Sequence, residues 1–329
     1  MTTPVQIAEV YNGKSAPAGT VAAKLLQSGG NVNSLRTNGT LRKDEWIEFD
    51  NAVVEIARKR LIGVGDLLSR GLVYNLPNAL GHTRLEWEKV SDMDPAGLSM
   101  SGISETQNDR VIYDLDSMPI PIIHKDFNIN VRALMASRNN GTALDTVQAQ
   151  VAARKVAELT ETMLFKGATI LGSNNPIYGY TTALHRNTGS LTATWMTATG
   201  EQIVSDTLKM ITALVGDNMY GPYVMYVSAA VGVRFGEDYK TNSDKSILTR
   251  MMEIEGLSAI KVTKDLANTE VLLVQMTADV IEMVDGLQPT TVEWESHGGF
   301  IAHFKIISIM LPRVRNDYIN QSGIAHYSA

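Results

Sequence analysis

Thr142-Ala-Leu-Asp-Thr-Val-Gln-Ala-Gln-Val-Ala-Ala-Arg-Lys-Val-Ala-Glu-Leu-Thr-Glu-Thr-Met-Leu-Phe-Lys-Gly167 is the stretch that decides the reading of this chain. Thr142 and Asp145 have capping-box spacing, which lets side-chain oxygens satisfy N–H groups that a first helical turn leaves unpaired. Leu144, Val147, Val151, Val156, Leu159 and Met163 keep helical spacing with one slip, and Lys166-Gly167 closes the end. The 24 residues from Ala143 to Lys166 would span roughly 36 Å. A helix of that length can be the backbone of a domain.

Upstream, Thr40 can cap a second helix with Asp44 and Glu45 in its first turn, where carboxylates suit the positive end of the helix dipole. Trp46, Phe49, Val53 and Ile56 form its apolar stripe, Arg58 to Arg60 fill its last turn, and Gly63 is a natural residue to end it. From Gly71 to about Arg110 the pattern weakens. Leu85, Trp87 and Lys89 alternate with Glu86 and Glu88 as on a strand, and Ser91 to Asp109 is polar with hardly any apolar face. Such a stretch cannot bury itself, so it is either disordered or ordered by packing on another molecule. Val111 to Leu134 returns as strand-like runs, with Pro119 and Pro121 marking an edge or an entry. Together these runs suggest a long two-stranded loop that leaves the body and returns.

Downstream the pattern alternates. Glu201 to Val215 reads as a helix, Tyr223 to Val227 as a strand, Ser246 to Glu253 as a helix, and Ser258 to Thr263 and Glu270 to Met276 as strands, which make an α/β unit. Val280 to Val284, Val292 to Trp294 and Phe300 to Leu311 read as strands around a Gly298-Gly299 turn, and Asn316 to Ala329 as a polar tail. At the other end, residues 1–40 are rich in Gly, Ser, Thr and Asn and carry basic side chains, so they read as an extended arm or a disordered tail.

Composition bounds the chemistry. The 329 residues suggest two domains, or one with a large insertion, and 44% hydrophobic with 19% charged residues is ordinary for a globular chain. The absence of cysteine excludes a disulfide scaffold, a thiolate zinc site, an iron–sulfur cluster and a thiol nucleophile together. A net charge of −6 argues against a dedicated nucleic-acid binder. The N-terminus lacks the basic and apolar regions of a signal peptide, and no apolar stretch is long enough to cross a bilayer, so a soluble cytosolic protein is expected.

Enzyme motifs are absent. Gly63 and Gly65 begin a Gly-x-Gly, but Leu68 stands where a dinucleotide fingerprint needs its third glycine. There is no phosphate-binding loop, nucleophile elbow or His-Glu-x-x-His. His297 and His303, with Glu293 and Glu295, could meet across a hairpin, yet histidines at strand ends are more often surface residues than ligands. No catalytic, cofactor-binding or metal-binding residue is assigned, and no cofactor is expected.

At this point the order of parts resembles a family. Leu41-Arg-Lys-Asp-Glu-Trp-Ile-Glu-Phe-Asp50, ending Ala57-Arg-Lys-Arg-Leu-Ile-Gly63, is similar to the N-terminal helix of encapsulins, which share their fold with tailed-phage major capsid proteins. An extended loop, a strand entering a long spine helix, and a short Gly-centred motif follow in that family. They match Gly71 to Arg110, Ile120 to Leu134, Ala143 to Lys166, and Phe165-Lys-Gly167 with Ile177-Tyr-Gly179-Tyr180. The resemblance implies an α+β chain with the tailed-phage major capsid fold. Its parts would be an N-terminal arm (1–40), an N-terminal helix region (41–70), an extended β-hairpin loop (71–117), a peripheral domain (118–199 and 286–329) around a spine helix (143–166), and an α/β axial domain (200–285).

The function so implied is that of a major capsid protein, a non-enzymatic subunit that self-assembles into the icosahedral shell around the double-stranded DNA of a tailed phage. Two alternatives stand beside it: an encapsulin compartment around a cargo enzyme, and a cytosolic α/β enzyme whose site leaves no motif. The long arm and the polar stretch Ser91 to Asp109 favour the viral shell. Implied partners are copies of the same chain in pentamers and hexamers, a portal, scaffold or decoration proteins, and DNA held without sequence-specific contacts. No membrane is implied; the protein would reside in the virion and assemble in the host cytoplasm. Trp87, Lys89 and Arg110 are the implied assembly-interface residues, and Trp87 fits equally well as a strand residue packing on its own hairpin. Some capsids of this fold carry Lys–Asn cross-links between subunits, and Lys89, Asn316 and Asn320 supply the residue types.

Overall fold

The computed structural model describes residues 61–91, 110–132, 147–170, 176–240 and 244–329, together with Val53, Met100, Met135 and Ala136. The expected arm, most of the first helix with Trp46 and Phe49, most of the polar stretch Ser91 to Asp109 and the first turn of the long helix lie outside these residues. The described elements run α1 (Gly63–Ser69), β1 (Val73–Asn75), β2 (Arg84–Val90), β3 (Tyr113–Pro119), β4 (Ile123–Asn130), α2 (Val147–Lys166), β5 (Asn187–Ser190), α3 (Gly200–Gly216), β6 (Tyr223–Ser228), α4 (Ala229–Arg234), α5 (Ile247–Met252), β7 (Leu257–Thr263), β8 (Glu270–Gln275), β9 (Ile281–Ser296), β10 (Ile301–Val314) and β11 (Ile324–Ser328). They divide into two compact units. One comprises Met1–Thr83, Ile120–Gly172 and Glu282–Arg313, and the other Arg84–Pro119, Ser173–Ile281 and Val314–Ala329.

In the first unit a four-stranded sheet has the order β1-β9-β10-β4, with β1 parallel to β9 and β10 antiparallel to β4. Phe127 and Phe304 stack across the β4–β10 pair with centroids 5.2 Å apart. β9 is one strand of 16 residues where two short strands are expected; neighbours on both sides carry it past the polar residues around Asp285. The long helix α2 lies against β4. Its buried face is Ala149, Ala152, Ala153, Val156, Ala157, Thr160, Met163 and Leu164, whereas Val147, Val151 and Leu159 of the expected stripe are exposed. Small alanine side chains let the backbone approach the sheet closely, so the larger apolar residues turn outward.

Gly63 opens α1 where the end of the preceding helix is expected. The buried carboxylate of Glu161 on α2 accepts hydrogen bonds from the N–H groups of Gly63 (2.6 Å) and Val64 (3.2 Å). These are two of the donors a helix start leaves unpaired, and no side chain of the Ile62 N-cap supplies an acceptor. A Cβ on Gly63 would stand 2.9 Å from Leu164, so the close approach needs glycine.

The second unit holds a five-stranded sheet of order β5-β11-β8-β6-β7, in which β11 is parallel to β5 and antiparallel to β8, while β6 is antiparallel to β8 and parallel to β7. Every residue of β6 is buried. Trp195, Ile203, Met210, Leu214, Met225, Phe235, Met251 and Leu273 belong to the core around it. Thr199 and Gln202 cap α3 reciprocally: Gln202 N–H donates to Thr199 Oγ1 (3.3 Å) and Thr199 N–H to Gln202 Oε1 (2.8 Å). Ser246 caps α5: its side chain accepts from Thr249 N–H. The expected polar tail is a difference: Ile324–Ser328 forms an interior strand of this sheet, not an appendage to the other unit. Five residues flanked by polar ones carry too little periodicity to be read as a strand; partners on both sides fix it.

Candidate functional site

β2 and β3 form a two-stranded antiparallel ribbon, with Leu85 opposite Met118, Trp87 opposite Asp116, Glu88 opposite Leu115 and Val90 opposite Tyr113. Because side chains alternate along a strand, the ribbon has two faces of different character. Leu85, Trp87 and Lys89 share the inner face with Met118 and Asp116, and Leu85 and Met118 are buried. The outer face shows Tyr113 at 65% exposure, Leu115 at 61% and Val90 at 50%, with Glu86 and Glu88 between. Three large apolar side chains in water on one face of a short ribbon form a patch of the kind that marks a contact surface.

The inner face has a defined seat. Trp87, Asp116, Ser117 and Met118 enclose a cavity of about 40 Å³ together with Pro176, Tyr178, Leu184, Val314 and Asn316. Trp87 therefore packs within its own chain, and its Nε1 is buried without a hydrogen-bond partner among the described residues. Lys89 Nζ lies 2.8 Å from Asp116 Oδ2 and donates to Asn316 Oδ1, also at 2.8 Å. Asn316 Nδ2 in turn donates to Asn320 Oδ1 (3.1 Å) and to the Asp317 carbonyl (3.3 Å). The structure thus brings Trp87, Lys89, Asn316 and Asn320 together in one chain and leaves Arg110 exposed ahead of β3. Asp116 was not singled out by sequence reasoning; the signal that finds it is the register that sets it opposite Trp87.

Two other clusters deserve description. At the β9–β10 turn Ser296 Oγ is hydrogen-bonded to His297 Nδ1 (2.9 Å) and His303 Nε2 (2.6 Å), and the His303 ring stacks on Trp294 with centroids 5.2 Å apart. The two histidines do converge, but on a serine, and among the described residues no group of three or more histidine and carboxylate side chains is placed to hold a metal. In the second unit an open basin of about 690 Å³ is lined by polar and charged residues including Glu201, Arg234, Glu237 and Lys240. Lys240 pairs with Glu201 there, and hydrogen bonding to that carboxylate raises the pKa of its ammonium.

Two further titratable groups of this unit, the buried Asp206 and the half-buried His326, have shifted pKa values. Burial alone would raise the pKa of Asp206, but hydrogen bonds from Thr192, Lys209 and Trp195 outweigh it and hold the carboxyl below its ordinary range. Burial lowers the pKa of His326; Glu270 opposes that shift and Arg186, whose Nε donates to His326 Nδ1 at 3.3 Å, adds to it. Both groups sit inside packing contacts and face no cavity described above. Among the described residues no helix is long and apolar enough to cross a membrane.

A family model described as a family of unknown function, DUF6260, matches residues 33–327. The type 1 encapsulin shell protein EncA of Myxococcus xanthus (strain DK1622) is 29% identical over 191 residues, which are 57% of this chain; the match spans only 61% of that relative's length. A virus-like particle from Pyrococcus furiosus superimposes with a TM-score of 0.61 at 17% identity, over 86% of this chain and 99% of the other. The capsid of the Myoviridae phage XM1 gives 0.60 at 13% identity, over 79% and 90%. The capsid of a native GTA particle gives 0.56 at 11%, over 89% and 92%. The chain has the mixed α+β fold shared by tailed-phage capsid proteins and encapsulins.

Proposed function

We infer that this chain, which belongs to the DUF6260 family, is a shell-forming subunit whose copies assemble into a closed icosahedral particle. The observation that carries the reading is the likeness of fold to particle-forming proteins over most of both chains. The exposed apolar face of the β2–β3 ribbon supports it, since a chain that stayed alone in water would gain nothing from displaying Tyr113, Leu115 and Val90 together. In this reading the ribbon is the extended loop, α2 the spine helix, the first unit the peripheral body and the second the axial body. Affinity comes from modest contacts repeated by symmetry, and no catalytic step is assigned.

The finer reading is a tailed-phage major capsid protein enclosing double-stranded DNA. Its supports are the sequence of residues 1–40, which reads as an arm, and the polar stretch Ser91 to Asp109. An acidic chain also suits a container that must not grip packed phosphates. The match to a Myxococcus encapsulin favours a second reading, a nanocompartment around a protein cargo. Negative-stain microscopy of the purified protein tests the shell: closed particles are expected, and a monomer or dimer under all conditions contradicts it. Their contents separate the two finer readings, because nuclease-protected DNA supports the phage capsid and a co-purifying enzyme without DNA supports the compartment.

A further inference from the structure

We propose that Lys89, Asp116 and Asn316 form a reversible electrostatic latch by which each chain holds its own β2–β3 ribbon against the segment that follows β10. Among the described residues the ribbon's strands pair only with each other, and an isolated two-stranded ribbon is marginally stable in water. Trp87 and Met118 give it an apolar foot in the cavity beside Tyr178 and Leu184, but apolar contact is non-directional and sets no register along the partner segment. Lys89 supplies the direction. Its ammonium bridges Asp116, on the opposite strand, and Asn316, 227 residues further along the chain.

The network is oriented from both ends. Ser117 N–H donates to the other oxygen of Asp116 at 2.8 Å, which leaves Oδ2 turned toward Lys89. The Asn316 amide nitrogen is occupied by Asn320 and Asp317, so its oxygen is the atom presented to the ammonium. Lys89 is 17% exposed and Asp116 40%, so water and ions reach the pair and the contact can open. An accessible ion pair is also screened by salt. While the latch is closed, Lys89 is engaged within its own chain and the apolar outer face is presented in one position.

Hydrogen exchange read by mass spectrometry on the full chain tests this, with each variant compared with the wild type in the same assembly state. Peptides over 84–90 and 113–119 report the ribbon, and a peptide over buried β6 is the internal reference. Lys89→Met and Asn316→Ala are expected to speed ribbon exchange about three- to tenfold, the net worth of one ordinary hydrogen bond in a solvent-accessible pair. The β6 peptide should not move. Asn316→Asp, which puts the ammonium between two carboxylates, is expected to slow exchange at low salt, and about 1 M NaCl should bring the wild type toward Lys89→Met. Unchanged ribbon exchange in both Lys89→Met and Asn316→Ala overturns the latch, as does a wild type insensitive to salt. An intact mass lighter than the sequence by one ammonia, restored in Lys89→Met, overturns its reversibility. None of these readouts depends on whether the particles are shells.

Discussion

The five-stranded sheet and the β2–β3 ribbon belong to the same compact unit and are built on opposite terms. In the sheet, β6 is buried along its whole length, the helix α3 is capped at both atoms of its box, and Asp206 inside the core has donors on every side. In the ribbon one face is seated and the other, with Tyr113, Leu115 and Val90, is left in water. The sheet is finished within one chain, and its stability is its own. Among the described residues nothing covers the ribbon's outer face.

Substitutions should separate these two modes. The largest loss is expected from Trp195→Ala, which removes a fully buried ring that packs against Phe235 at 5.9 Å and a donor to Asp206. Thermal unfolding should register about 3–5 kcal/mol. Asp206→Ala comes next, since it strands the Thr192 N–H (3.0 Å) and the Trp195 Nε1–H that the carboxylate accepts; about 1–3 kcal/mol is expected. The same carboxyl sets a pH dependence. Its pKa is lowered in the fold, so its contribution is complete above the ordinary carboxylate value and is lost as pH falls through the folded one. Denaturant midpoints measured down the acid range should fall less steeply in the variant.

His326 gives a smaller effect of the same sign. Burial lowers its pKa from 6.5, so the unfolded chain takes up the proton first and stability begins to decline as pH drops below that value. His326→Gln should flatten the decline between neutral and mildly acidic pH. The group faces Arg186 and Glu270, and the net direction requires that burial outweigh the carboxylate. A variant whose midpoints track those of the wild type through that window would show that the histidine titrates alike in both states.

The same division explains what was legible in the sequence. Elements whose signal is local were readable: the helices over 200–216 and 247–252, the strands over 223–228, 257–263 and 270–275, and the alternation of Leu85, Trp87 and Lys89. Elements fixed by their neighbours were not. Ile324–Ser328 becomes a strand because β5 and β8 flank it, and β9 runs unbroken because β1 and β10 support it. The apolar face of α2 was placed in part: Val156 and Met163 are buried as expected, but Val147, Val151 and Leu159 are exposed, because close packing on β4 selects alanines that carry little hydropathy signal. At the candidate site the residue types Trp87, Lys89 and Asn316 were visible, but their meeting in one chain depends on register and on a contact between residues 227 apart, which no local pattern encodes.

The sharpest form of the comparison is a change confined to the ribbon's outer face. Leu115 is 61% exposed and lines no described cavity, so Leu115→Ser should leave the subunit's own unfolding within about 0.5 kcal/mol of the wild type. Sedimentation velocity of the two proteins at equal concentration is the direct measurement. The account predicts that the wild type sediments as closed particles and that Leu115→Ser shifts material to a slow, folded subunit. Particles of undiminished yield from the variant would contradict the assignment of this face to assembly, and a wild type that sediments only as a small species would contradict the shell itself.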